Sequence, residues 1–137
     1  MNPKVILAFK KYFEELDLSN SSKLEEIYSE DICFKDPIHE ILGLNNLKSY
    51  FKKLNSNLIQ GKFYFTEEHI INDRAYLSWE MELHLKRPKK KITASGISIL
   101  IFKDKVISHR DYFDAGELFY EHVPIIGGLV KFLKKQI

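Results

Sequence analysis

An α+β fold, with one curved antiparallel sheet wrapped around N-terminal helices, is what this sequence predicts, and three observations predict it. Apolar residues recur every three or four positions over much of the N-terminal part, and from there to residue 113 they recur every second position. The alternating runs are as long as strands and are parted by turn residues, two or three at a time. Connections that short join antiparallel neighbours. With 137 residues, 45% hydrophobic and 29% charged, the chain can bury a core of its own, so residues 1–137 are expected to form a single domain.

Val5, Phe9, Tyr12 and Leu16, with Ile6 and Phe13 alongside, predict an amphipathic helix over residues 3–17 that turns Tyr12 inward. Ser22-Lys23-Leu24-Glu25 has the spacing of a capping box, and Leu24, Ile27 and Tyr28 would supply the apolar face of a short second helix. Ile32 and Phe34 then alternate with Cys33 and Lys35, so a strand continued to Asp36 would set its carboxylate on the Ile32/Phe34 face. Pro37 stops regular pairing. After Gly43, the spacing of Leu44, Leu47, Tyr50, Phe51, Leu54 and Leu58 predicts a third helix. Four strands follow over 62–71, 74–85, 91–102 and 105–113, with Asn72-Asp73, Arg87-Pro88-Lys89 and Lys103-Asp104 as their turns. A helical tail of the same domain is expected over 114–137, with Asp114 as its N-cap and a break at Pro124.

Composition narrows the function. The 21 Lys plus Arg against 19 Asp plus Glu leave a formal charge of +2, which demands neither nucleic acid nor a membrane. The single cysteine, Cys33, cannot form an internal disulfide and reads as a small buried hydrophobe. No secretory or membrane-spanning pattern is present, so the expected compartment is the cytoplasm. His39, His69, His84, His109 and His122 are scattered without metal-ligand spacing, and no metal is expected. The run from Lys86 to Lys91 reads as a solvated hairpin tip, and nucleic-acid binding lacks aromatic-basic interleaving. Lys131, Lys134 and Lys135 on the terminal helix could touch an anionic membrane, but docking on its own sheet or on a partner subunit is the favoured reading.

The order of elements, together with Tyr12, Asp36-Pro37, Gly43, Trp79 and the run His109-Arg110-Asp111-Tyr112-Phe113-Asp114, resembles the SnoaL-like branch of the nuclear-transport-factor-2-like superfamily over nearly the whole chain. That superfamily includes ketosteroid isomerases, polyketide cyclases and limonene epoxide hydrolases. The closing stretch from Glu121 to Gly127 is similar to a bacterial subgroup with a helical tail. The resemblance implies a cone-shaped α+β barrel, an apolar pocket, no cofactor, and a homodimer through the outer sheet face. In ketosteroid isomerases an aspartate base works with an oxyanion hole made by a tyrosine and a protonated aspartate. Asp36 resembles the base and Tyr12 the tyrosine, whereas Ser98 stands at the position of the second aspartate and is a weaker donor. Polyketide cyclases carry their acid-base aspartate where this chain has Asp111. Limonene epoxide hydrolases pair that residue with an arginine and another aspartate, and no arginine lies between Arg74 and Arg87, which argues against epoxide opening.

Alternation places Ile107, His109, Asp111 and Phe113 on one face of the last strand. Asp111 between apolar neighbours suits proton transfer, with an ion pair as the competing role. For Asp36 the competing role is a turn, because aspartate before proline often bonds its own backbone. Tyr12 competes with plain core packing. The expected catalytic set is Asp111, Asp36, His109 and Tyr12; the expected wall is Ser98, Trp79, Met81, Phe113, His39 and Phe34. Together they predict an isomerase, cyclase or lyase acting without a cofactor on a small hydrophobic enolisable compound. A ligand-binding or dimerisation module without chemistry is the alternative.

Overall fold

A computed structural model describes residues 3–114. The elements run α1 (Lys4–Glu15), α2 (Ser21–Ile27), β1 (Tyr28–Lys35), β2 (Glu40–Leu42), α3 (Leu44–Ser56), β3 (Leu58–Ile71), β4 (Arg74–Lys86), β5 (Lys89–Phe102) and β6 (Val106–Phe113). The expected helical tail, its lysines and the helix start that Asp114 is expected to cap lie outside the described residues. No helix among the described residues is long and apolar enough to cross a membrane.

Helix α1 buries Val5, Ile6, Phe9 and Tyr12 and ends where Leu16 takes left-handed backbone, φ 51°. Helix α2 starts two residues earlier than a capping box at Ser22 would have it. Asn20 is its N-cap, accepting from the Lys23 amide at 3.4 Å, and the Ser22 hydroxyl donates to the same oxygen at 2.7 Å. Asparagine is a favoured N-cap, so Ser22 is left to support it. Tyr28 is not the last residue of that helix. It is extended, opens β1, and is fully buried. Gly43 precedes α3 at φ 89°, a conformation that a side chain would strain.

The meander β3-β4-β5-β6 is as the period of two predicts, joined by tight turns at Asn72-Asp73 and Arg87-Pro88. Asn72 supplies the positive φ of the first, 54°. The basic run 86–91 lies on the second. Two features were not legible. Residues 40–42 form β2, which folds back on β1 as a short hairpin across Asp36-Pro37-Ile38-His39. Strand β1 pairs β6 in parallel, so the sheet is mixed, with order β2-β1-β6-β5-β4-β3.

The core lies between the helices and the concave face of the sheet. Phe9 and Ile6 of α1, Leu24 and Ile27 of α2, and Leu47 and Phe51 of α3 meet Ile32, Leu77, Leu100, Phe102 and Val106. Val106 was expected to face outward and Ile107 inward. A bulge between the Phe102–Val106 and Ile101–Ser108 pairs inserts Ile107 as an extra residue, which turns Val106 into the core while keeping His109 on the inner face.

Candidate functional site

The helices do not fill the cone. Toward the ends of β1 and β6 they leave a cavity of about 210 Å³, lined by Phe9, Phe13, Leu16 and Leu18, by Phe34, Asp36, Ile38 and His39, by Tyr50, Phe51 and Leu54, and by Phe63, Trp79, Met81, Leu83, Ser98, His109, Asp111 and Phe113 of the sheet. The parallel pairing of β1 with β6 builds its polar part. Phe34 lies opposite His109 and Lys35 opposite Arg110, so the next residue on each strand is an aspartate. Asp36 and Asp111 therefore enter the same cavity from neighbouring strands.

Asp111 is held from two sides. Its Oδ1 accepts from the Ser98 hydroxyl at 2.5 Å and meets His109 Nε2 at 2.7 Å. Ser98 is the cross-strand partner of Asp111, and its oxygen in turn accepts from the Trp79 indole N–H at 2.9 Å. His109, 1% exposed, places its Nδ1 2.8 Å from the hydroxyl of Tyr28. Burial first, and the charge of Asp111 second, hold the Tyr28 phenol well above its usual ionisation range. A protonated phenol there donates to His109 Nδ1, which puts the imidazole proton on Nε2 and points it at Asp111. Both branches, Tyr28 to His109 and Trp79 to Ser98, thus end as donors on one carboxylate oxygen. Oδ2 carries no hydrogen bond from a described side chain and is the oxygen left for the cavity.

Asp36 is held differently. Its Oδ1 accepts the backbone amides of Ile38 at 2.8 Å and His39 at 2.6 Å, while its own amide donates to the His39 carbonyl at 3.0 Å. This is the turn role that aspartate before proline invites. The residue is nonetheless 7% exposed and lines the cavity, so serving the turn does not remove it from the pocket. The Tyr50 hydroxyl lies 3.4 Å from Oδ2, and His39 Nδ1 lies 3.3 Å from each oxygen. Burial first, and the Asp36 charge next, raise the Tyr50 phenol, which stays protonated as a donor.

Of the residues expected at the site, Asp111, Asp36, His109, Ser98, Trp79, Met81, Phe113, His39 and Phe34 all line the cavity. Tyr12 does not. Helix α1 ends three residues beyond it, and the chain returns so that the Leu18 carbonyl receives its hydroxyl at 2.9 Å, deep in the core. The phenols at the site are Tyr50 on the wall and Tyr28 behind His109. Tyr50 was read as part of the apolar face of its helix, and Tyr28 was hidden by the helical reading of residues 24–28. Phe63 alternates with Phe65 on one strand face, a signal that would have placed it on the wall. Among the described residues no group of three or more His, Cys, Asp or Glu is placed to hold a metal ion.

Solved structures share this architecture. A protein from Catenulispora acidiphila DSM 44928 with a ketosteroid isomerase-like fold, crystallised with trimethylamine, superposes with a TM-score of 0.74 at 12% identity, over 88% of this chain and 93% of its own. An M. tuberculosis LEH-like epoxide hydrolase gives 0.70 at 11% identity, over 85% of this chain and 81% of its own. TerC, co-crystallised with polyporic acid, gives 0.67 at 18% identity, over 81% and 89% respectively. At these identities the likeness is one of fold. No curated protein sequence matches the chain. The family model of the SnoaL-like domain matches residues 9–110, from within α1 to within β6, which takes in most of the cavity wall and stops just short of Asp111 and Phe113, and the chain therefore belongs to the SnoaL-like domain family.

Proposed function

We infer that the cavity is a site of cofactor-independent proton transfer, of isomerase, cyclase or lyase type, acting on a small hydrophobic compound with an acidic C–H. The observation that carries this reading is the state of Asp111: one oxygen fixed by Ser98 and His109, the other left to a cavity walled by aromatic rings. A carboxylate locked in that way has lost the freedom that a general base must otherwise give up in the transition state. In the proposed step Asp111 Oδ2 takes the proton, the C–H bond breaks, and its electron pair passes into the adjoining unsaturated group. The proton then returns to another carbon, or a leaving group departs. His109 and Ser98 orient the base, Trp79, Met81, Phe34 and Phe113 pack the substrate, and Asp36 with His39 and Tyr50 forms the second polar point.

The ligands of two structures of the same fold, trimethylamine and polyporic acid, support reading such a cavity as a small-molecule site. A homodimer through the outer sheet face, where Tyr64 and Tyr112 are exposed, and a cytoplasmic setting are part of the same reading. The alternative of binding without chemistry draws on Asp36, whose Oδ1 is committed to its turn.

The test is hydrogen–deuterium exchange beside the carbonyl of two ketones, neutral 2-indanone and cationic N-methyl-4-piperidone. Wild-type protein should accelerate at least one, and Asp111→Asn should lower that acceleration by roughly 10²–10⁴-fold. Equal exchange by wild type and variant, or none above buffer, refutes proton transfer.

A further inference from the structure

We propose that the cavity selects a small organic cation, a protonated or quaternary amine with apolar substituents, and that Asp36 and Asp111 are its counter-ions. This rests on reading the cavity as a ligand site, not on the proton-transfer step. Three observations converge on it.

The first is charge. The Asp36 and Asp111 side chains are only 6% and 18% exposed, yet the ion-pair partner of each among the described residues is a histidine, His39 and His109 respectively. Among the described residues no lysine or arginine lines the cavity. His109 is itself engaged on its far side, where Nδ1 lies 2.8 Å from the Tyr28 hydroxyl. His39 sits at the rim, 43% exposed. Two carboxylates thus share the cavity with no described lysine or arginine beside them. Charges taken out of water are ordinarily matched by a partner of opposite sign.

The second is the direction of the hydrogen bonds. Ser98 and His109 are spent on Asp111, Trp79 on Ser98, and Tyr50 lies against Asp36 and His39. The side-chain donors of the wall are therefore turned toward the two carboxylates, and no oxyanion hole is made from them. An anionic ligand, or an enolate oxygen formed in place, would meet acceptors. A substrate carrying its own positive charge beside the acidic carbon would supply that stabilisation itself.

The third is the wall. Phe13, Phe34, Phe51, Phe63, Trp79 and Phe113 line the same cavity as the two carboxylates. Ring faces attract a cation and tolerate its alkyl groups, the combination that recognises substituted ammonium ions.

The experiment compares three probes with one ring and three charges: benzylammonium, benzyl alcohol and benzoate. Binding to the full chain is followed by NMR at the indole N–H of Trp79, the one tryptophan in the sequence and a wall residue. Benzylammonium should bind at least tenfold more tightly than the alcohol, and benzoate more weakly than either. Asp36→Asn and Asp111→Asn should each cut ammonium affinity fivefold or more while leaving the alcohol within twofold. Asparagine keeps the Oδ1 acceptor that both networks use, so the fold is retained. Alcohol or benzoate binding as tightly as the ammonium, an unaltered preference in both variants, or no shift at Trp79 with any probe, overturns the proposal. The two readings separate cleanly. Ammonium selectivity without Asp111-dependent exchange removes the chemistry alone, and exchange without ammonium selectivity removes this inference alone.

Discussion

Tyr28→Phe tests the hydrogen-bond logic of the site with the loss of one atom. The Tyr28 hydroxyl lies 2.8 Å from His109 Nδ1, and the two residues are 0% and 1% exposed, so water cannot replace it. Removing the donor leaves a buried acceptor unpaired, which costs about 1–3 kcal/mol. For a domain of this size that lowers Tm by roughly 3–10 °C. The change also frees Nδ1 to take the proton. Urea denaturation should show the loss of stability, and 15N NMR of the imidazole should show His109 passing from a single Nε2–H tautomer in the wild type to a mixture or to the protonated ring in the variant. A wild-type His109 with its proton on Nδ1, or a variant within about 0.5 kcal/mol of wild type and with an unchanged tautomer, would refute the assignment of Tyr28 as the residue that aims His109 at Asp111.

Two other outcomes follow from the same geometry. Gly96→Ala should destabilise the fold by about 3 kcal/mol or more and shift Trp79 fluorescence, because its Cβ would lie 2.5 Å from the Tyr112 carbonyl and 2.7 Å from the Trp79 ring; a variant as stable as wild type in urea would contradict the register of β5 against β4 and β6. Tyr12, Tyr28 and Tyr50 all have phenols raised by burial, so the folded state holds protons that the unfolded chain releases from about pH 10. Their contribution is complete below that pH and is lost as pH rises above it; urea midpoints measured from pH 8 to 11 should fall steeply past 10, and less so in Tyr28→Phe relative to its own value at pH 8.

Much of the site was readable because strand alternation is a short-range rule. Trp79 and Met81 on one strand, Ser98 on the next, and His109, Asp111 and Phe113 on the last follow from a period of two, and the turns that space those strands are written in Asn72-Asp73 and Arg87-Pro88. What failed also failed for local reasons. A three-residue strand such as β2 is too short to carry a period, a bulge at Ile107 reverses alternation without a composition signal, and an apolar run ending in Tyr28 serves a helix or a strand equally well.

The sequence by itself determined the class of fold, the meander, and the inward face that carries His109 and Asp111, since each depends on neighbours a few residues away. It also named Asp36 as a residue divided between a turn and a pocket. Only the tertiary structure decided that division, by laying β1 parallel to β6 so that Asp36 and Asp111 follow paired residues into one cavity. Nothing local specifies that contact, which joins segments more than seventy residues apart across the free edge of a completed meander. The same docking chose the phenols: it closed Tyr28 over His109 and set Tyr50 beside Asp36, while the return of the chain to Leu18 kept Tyr12 in the core.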